Sequence, residues 1–449
     1  MTDENLFPIT EQYDPNPVPQ TKAAPRCKQP VRNQAETRVL SLDEMVADDH
    51  AARVVWMLVQ QLDLSALLER IRAREDTVGR DAIAPSLLLA LWIKATLDGV
   101  GSARELDRRC KEDAGYMWLC GGVSVNYHTL SDFRWDNGEL LDELLANSTA
   151  SLMQEGLATL QRVAQDGMRV RASAGADTYR RRPTLEQAYR EAKQQVETLK
   201  TQGAQEDGGP LSKRQAAARE RAAREREQRL AHALENMKKL EARNEKLPPS
   251  RKTDKKKKEK PPRVSTTDPD ITVMKMGDGG FRPAVNVQYA TDTQTQIIVG
   301  WDVNLNGSDR GLMVPMLDQL EQRYGRYPDE ILVDGGYVKK EDLEHASQPE
   351  LDCKVYSPPY STDKDRDPYA PNPKDPPGVA QWRQRMATDQ AKQIYKQRAS
   401  TAECVNAHAR NRGLYQFKVR GLTKIFTVVV LHVLAHNLMR AHALRTRLA

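Results

Sequence analysis

Paired cysteines are missing from this chain. Its five cysteines (Cys27, Cys110, Cys120, Cys353 and Cys404) are odd in number and scattered, and no Cys-x-x-Cys occurs. A disulfide framework and a zinc site of ordinary spacing are thereby excluded, and a reduced, cytosolic protein is expected. Long apolar runs are also missing. The longest, Ile425 to Leu434 and on to Met439, is interrupted by His432, His436 and Asn437. It is too short and too polar for a membrane span and reads as a buried helix. The N-terminal stretch is polar and proline-rich, without the basic-then-apolar order of a secretory signal. A large net charge is lacking too: 68 Lys and Arg against 62 Asp and Glu give +6. Where the charges sit therefore matters more than their sum.

What is present is organised by shifts in composition. With 449 residues, 39% hydrophobic and 29% charged, the chain exceeds the size at which one core usually stops growing, so two or three domains are expected. Residues 1–38 carry Pro8, Pro15, Pro17, Pro19, Pro25 and Pro30 and read as a loosely ordered arm. Residues 39–160 read as helical. Ser41 and Glu44 form a capping-box pattern ahead of an amphipathic run through Met45 and Val54. Pro85-Ser86-Leu87-Leu88-Leu89-Ala90-Leu91-Trp92-Ile93 opens a helix that is apolar on most faces, and hence central. Short helices broken by Gly99, Gly101, Gly121 and Gly122 suit a helix-turn-helix DNA reader or an ordinary bundle with a basic solvated face. In the first case Asn126, His128, Thr129, Ser131 and Arg134 face the groove, and Arg104, Arg108, Arg109 and Lys111 face phosphates. Residues 181–247 hold two amphipathic stretches around a glycine-rich turn. Leu185, Tyr189, Ala192 and Val196 mark one seam and Ala223, Leu230, Leu234 and Met237 the other, which predicts an antiparallel helical hairpin. Residues 248–263, with Lys255, Lys256, Lys257 and Lys258, form a basic linker that suits a polyanion or stays solvated.

β character dominates 161–180 and much of 264–440. Ala284–Ala290 alternates, Thr291–Thr295 turns and Gln296–Val303 returns, a β-hairpin. Ser308 is placed to cap a helix through Met313, Met316, Leu317 and Leu320. Two short apolar runs each end in an acid followed by glycine: Arg162-Val163-Ala164-Gln165-Asp166-Gly167, and Glu330-Ile331-Leu332-Val333-Asp334-Gly335-Gly336-Tyr337. Asp-Gly alone is a common turn dipeptide. Recurring after an apolar run, it brings two carboxylates to the rim of one sheet, with glycines letting the chain turn. The third carboxylate is Glu403, on a helix where Glu403, Asn406 and Arg410 share a face. Glu341, Asp342 and Glu344 read as a solvated helix face, and Asp302 and Asp309 are alternatives for one acid of the cluster. No nucleophilic side chain accompanies the three. Clustered carboxylates repel unless a cation compensates them, and oxygen ligands suit Mg²⁺. Two such ions about 4 Å apart activate a water or 3′-hydroxyl and stabilise the leaving oxygen, which requires the three side chains within about 10 Å of each other. Lys396, Arg398 and Arg410 would hold the polyanionic substrate.

With Ser265-Thr266-Thr267-Asp268-Pro269, and Gly279-Gly280-Phe281-Arg282-Pro283-Ala284 running on to Val287-Gln288, these motifs carry a resemblance. From about residue 40 to 440 the chain resembles the DDE transposases of bacterial insertion sequences, in the group with a Tyr-x2-Arg-x3-Glu-x6-Lys signature. Here the signature reads Tyr395-x2-Arg398-x4-Glu403-x6-Arg410, with one extra residue and Arg in place of Lys. The resemblance implies a mixed α/β fold. Its parts would be a ribonuclease-H-like core, an N-terminal helical domain that recognises DNA, and a helical (coiled-coil) hairpin inserted between the first and second core strands. It implies two Mg²⁺ (or Mn²⁺) ions on Asp166, Asp334 and Glu403, and Tyr395 at the DNA. It also implies cleavage at terminal inverted repeats and joining of 3′-hydroxyls to double-stranded target DNA, by a homodimer at the bacterial nucleoid, away from membranes. A nuclease that cuts without joining and a non-catalytic DNA-binding derivative are the competing readings, and the presence of all three acids argues against the last.

Overall fold

The computed structural model describes residues 33, 37, 39–74, 80–203, 210–245, 261–359 and 367–448. Nearly all of the expected arm, and the linker lysines Lys255, Lys256, Lys257 and Lys258, lie outside the described residues.

Helices α1 (Ala51–Gln60), α2 (Ser65–Glu69), α3 (Pro85–Leu97), α4 (Ala103–Glu112), α5 (Ala114–Cys120), α6 (Tyr127–Asp136) and α7 (Gly138–Gln154) precede the sheet. Polar residues set where they start. The imidazole of His50 accepts from Ala52 N, so α1 begins at Ala51, and the run expected from Met45 is a single 3₁₀ turn, Asp43–Met45. Ser102, Asp113 and Asn126 cap α4, α5 and α6 through their side-chain oxygens. Gly121, at φ 53°, ends α5 in the left-handed conformation that a side chain disfavours. Helix α3 has proline in its first turn, and Leu87 to Thr96 are buried without a break, which makes it the central helix its composition predicts.

The sheet strands are β1 (Arg162–Arg171), β4 (Thr272–Lys275), β5 (Phe281–Asp292), β6 (Ile298–Asn304), β7 (Glu330–Leu332) and β8 (Lys354–Tyr356). A separate short ribbon pairs β2 (Tyr179–Arg180) with β3 (Val264–Ser265). The sheet runs β4-β5-β1-β7-β8, with β6 also on β5. β1 is antiparallel to β5, with Asp166 opposite Tyr289, and parallel to β7, with Ala164 opposite Leu332. The small ribbon is the base of the helical hairpin, α8 (Arg182–Gly203) and α9 (Pro210–Glu245), which leaves the chain between β1 and β5. Leu185, Ala192, Leu230, Ala233 and Met237 are buried in its seam together with Val264 of the ribbon. The Arg182–Glu241 ion pair and a hydrogen bond between His232 and Asp270 (2.6 Å) fasten its lower end.

Helices α10 (Met313–Tyr324) and α11 (Lys340–Ala346) connect the later strands, and α12 (Pro377–Ala387), α13 (Asp389–Arg398), α14 (Cys404–Asn411) and α15 (Leu422–Leu448) close the chain. Ser308 does not cap α10. The hydroxyl accepts from Arg310 N, and the helix starts five residues later at Met313. By length and apolarity α15 could cross a membrane. In this fold it is a core helix against α3, α7 and β6, longer than the apolar run suggested. Ile425, Val429, Val430, Val433 and Leu434 join α3 residues and Met168, Val170, Val285 and Val287 of the sheet in one core cluster. Its Asn437 amide exchanges hydrogen bonds with the backbone of Ile298, donating at 2.8 Å and accepting at 2.9 Å. Its His436 Nε2 bonds Gln296 O at 2.8 Å.

Burial keeps the imidazoles of His432 and His436 neutral, pushing the first down to about 3 and the second to about 4. The unfolded chain takes up these protons first, near about pH 6.5, so folded stability should decline as pH falls from there toward about 4. Thermal unfolding between about pH 7 and about pH 4.5 should show that decline, and His432→Leu with His436→Gln should flatten it. An equal slope in the double variant would show that other groups carry the acid sensitivity.

Candidate active site

Asp166 lies in the middle of β1, with the strand continuing to Arg171, so Asp166-Gly167 is not the turn its composition suggests. Glycine is needed at 167 for close approach. A Cβ there would overlap the side-chain polar atoms of Gln288, Asp309 and Asn286. Asp334 stands two residues beyond β7, and its Oδ1 accepts from Gly336 N at 2.6 Å. Neither Gly335 nor Gly336 has positive φ; a Cβ at 336 would press on that same carboxylate oxygen at 2.8 Å. Gly167 thus makes room for polar side chains, whereas the glycines after Asp334 lie in a turn that Tyr337 N closes by donating to Asp334 O at 3.2 Å.

Glu403 closes a π turn, Ala399–Glu403, set between α13 and α14. This turn accommodates the extra residue of the Tyr-Arg-Glu signature. A π turn adds one residue to a helical circuit, so side chains five apart face the same way. Arg398 and Glu403 accordingly meet, Nη1 to Oε1, at 3.0 Å. The hydroxyls of Ser400 and Thr401 donate to Gln397 O at 3.0 and 2.7 Å, satisfying a carbonyl that the widened turn exposes. Gln296, at φ 61° in the turn between β5 and β6, donates its side-chain amide to Ser400 O at 2.9 Å.

The three acids converge on one guanidinium. Arg398 Nη2 lies 2.7 Å from Asp166 Oδ1 and 3.7 Å from Asp334 Oδ2, while Nη1 holds Glu403. The Asn406 side-chain amide donates to the other oxygen of Asp166 at 3.0 Å. Burial raises the Asp166 carboxyl above the ordinary range, against the lowering pull of Arg398 and the Gly167 amide. Burial pulls Arg398 down, but the charges of Asp166, Tyr395, Asp334 and Glu403 outweigh it and leave it raised. With the arginine between them the acids do not stand at metal-ligating spacing, and no such group of three occurs among the described residues. The donor set nevertheless fits a hard cation. It is all oxygen, three negative charges meet one positive charge, and Asn406 Oδ1 is buried beside Asp166 without a partner.

On the other face of β1 a polar network fixes the strand against the Asp334 loop. Tyr337 O–H donates to Gln288 Oε1 at 2.5 Å, and Gln165 Nε2 donates to the same oxygen at 3.0 Å. Gln288 and Asn286 donate to Asp309 at 2.9 and 2.6 Å. Asp309 thus belongs to this network and not to the acidic cluster, and Asp302 accepts from Asn304. Gln165, Gln288 and Tyr337 escape sequence reasoning because a polar residue on a strand gives no sign of its partner across the sheet.

The expected DNA contacts divide. Lys396, Arg410 and His128 are exposed, and Tyr395 is half-buried beside the acids. Arg134 is not presented to DNA: only 3% exposed, its guanidinium lies 3.9 Å over Trp92 and 4.1 Å over Trp135 and donates to Gly101 O. Asn126 is engaged as the cap of α6. Arg108, Arg109 and Lys111 pair with acids of their own helix or its cap.

Two family models match the chain: a transposase domain (DUF772) over residues 40–136, and a transposase DDE domain over residues 376–442. Both matched segments are those of transposases, and together they support a DDE insertion-sequence transposase. The second match spans Tyr395, Arg398, Glu403 and Arg410, so the transposase family sequence includes this π-turn region. Neither a curated protein nor a solved structure matches significantly.

Two outcomes test this geometry in the transposase. Deleting Ser400 should restore a regular helical turn with Arg398 and Glu403 on one face, leaving the unfolding midpoint within about 5 °C of the parent. Inserting an alanine after Ser400 turns Glu403 about 100° away and should lower the midpoint further than the deletion does; equal effects would mean the π turn is incidental. Arg398→Met leaves three acids facing one another and should lose about 3 kcal/mol or more in denaturant unfolding, with Mn²⁺ restoring more of it than Mn²⁺ gives the parent.

Proposed function

We propose that this transposase binds terminal inverted repeats, cleaves the DNA ends and joins them to target DNA. The observation that carries the reading is the meeting of Asp166, Asp334 and Glu403 at a single guanidinium, from three separate elements of the fold. A ribonuclease-H-like core is supported by the order β6-β5-β1-β7-β8, in which β5 and β6 are antiparallel neighbours and β7 and β8 run parallel to β1.

Asp166, Asp334 and Glu403 would hold the divalent ions, Mg²⁺ or Mn²⁺. When bound, such ions activate the attacking water or 3′-hydroxyl and stabilise the leaving oxygen in an in-line displacement. The chain's own residues prepare that site. Arg398 balances the acids and orients Asp166, and Asn406 holds the second oxygen of Asp166. The Tyr337–Gln288–Gln165 network keeps the Asp334 loop in register with β1. Lys396 and Arg410, exposed on the helices that flank Glu403, suit the DNA phosphates, as does His128 on α6. The assembly would act as a homodimer on double-stranded DNA.

A strand-transfer assay with labelled repeat ends decides between joining and simple cutting, since cleavage without joined product identifies a nuclease. Asp334→Asn should abolish cleavage, a loss of at least about a hundredfold, while end binding measured by gel shift is retained. Persisting cleavage would refute the assignment, and absence of cleavage in the unsubstituted chain would identify a DNA-binding derivative.

A further inference from the structure

A groove of about 590 Å³ opens between α9 of the hairpin and the edge strand β4, away from the acidic cluster. Its size falls within the roughly 300–1,000 Å³ of sites that take small ligands. Its floor is apolar, with Leu240, Ile271 and Val273, and Val273 remains 46% exposed. Its rim is cationic, with Lys239, Arg243 and Arg263. Arg243 and Arg263 have no carboxylate partner among the described residues. Lys239 pairs with Glu235 at 2.8 Å, but both side chains are at least 60% exposed and such a pair is weak. The carboxylate that lines the groove, Asp270, is already taken by His232 and Asn236.

The apolar floor continues along β4 and β5. Val273 is opposite Pro283 and Lys275 opposite Phe281, so Val273, Lys275 and Phe281 project from one face of the sheet. Phe281 is 69% exposed. Val273 and Phe281 stand two pairs apart in the ladder, about 7 Å along the strand. That distance suits successive bases of an extended single strand better than the stacked bases of a duplex, which rise about 3.4 Å.

We infer that this groove and the Phe281 face bind an unpaired segment of the DNA substrate. One base lies over Leu240 and Val273, the next stacks on Phe281, and the phosphates meet Lys239, Arg243 and Arg263. A duplex presents phosphates but keeps its base faces covered, so it uses the rim alone; a displaced strand uses both rim and floor. The sheet register sets the reach. β4 pairs with β5 near Ala284, which lies opposite Arg171, five residues along β1 from Asp166. Five residues along the strand and two strand spacings across amount to roughly 20 Å, on the order of three nucleotides of extended strand from the phosphate at the acids. The inference rests on the reading of the chain as a DNA-processing enzyme and adds the strand state that this surface selects.

Fluorescence anisotropy with a labelled single-stranded oligonucleotide and the same sequence as a blunt duplex provides the test, using the full chain. Phe281→Ala should weaken single-strand binding about tenfold and duplex binding less than twofold, and Phe281→Trp should restore it. Arg243→Ala with Arg263→Ala should reduce the salt slope for the single strand by about 1.4, two phosphates at about 0.7 each. Unchanged single-strand affinity in the folded variants overturns the inference, and so does an equal loss for strand and duplex. Competition by a free deoxynucleoside monophosphate, without binding of the strand, would mark a mononucleotide site and overturn it as well. Asp334→Asn serves as the control. Normal groove binding with no cleavage by the parent chain sinks the transposition reading alone, whereas normal cleavage with variants that bind the strand like the parent sinks the groove alone.

Discussion

The guanidinium of Arg398 carries one positive charge into a site built from three carboxylates. Without it, Asp166, Asp334 and Glu403 would repel one another and the elements that carry them would part. One charge against three leaves the site negative. The same arrangement that keeps the acids together therefore leaves room for further cationic charge. The donors are oxygen, the partner of Asp166 is itself a signature residue, and the family match over residues 376–442 covers both Arg398 and Glu403.

Contacts far from the acids hold this arrangement. Helix α15 bonds the turn between β5 and β6 through His436 and Arg440, which reach Gln296 O and Thr295 O. Gln296 in turn donates to Ser400 O inside the π turn. The N-terminal helices pack on α15 within one shared core, so they and the turn that holds Ser400 rest on one helix. On the opposite face of β1 the amides of Gln165, Gln288 and Asn286 saturate Tyr337 and Asp309, which fixes strand register without spending apolar surface. The helical hairpin, by contrast, touches the core mainly at its base, and a groove opens between it and β4.

Periodicity and composition alone made much of this legible. The all-round apolar run of α3, the two seams of the hairpin, the β5–β6 hairpin and the three acids can each be read from spacing, because each depends on neighbours within a few residues or on a repeated pattern. Helix starts were less legible: His50 caps α1 where Ser41 was expected to, and Ser308 caps nothing, because several polar residues compete for the same orphan amides. Arg134 looked like a groove-facing cation and proves to be sandwiched between two tryptophans. Burial of a long side chain depends on which helices come to lie across it.

By itself, then, the sequence determined most element types and the two seams of the hairpin, and it singled out three acids, all from local or periodic properties. Tertiary structure alone decided how Arg398 and Glu403, five residues apart, come to share a face. The widened turn that aligns them is held by Gln296, more than a hundred residues away in the chain. It also decided that the glycine beside Asp166 serves close packing rather than turning, since the atoms it makes way for belong to Gln288, Asn286 and Asp309, far along the chain. Short-range chemistry is written in neighbouring letters, whereas the meeting of distant side chains depends on register and packing that no single segment contains.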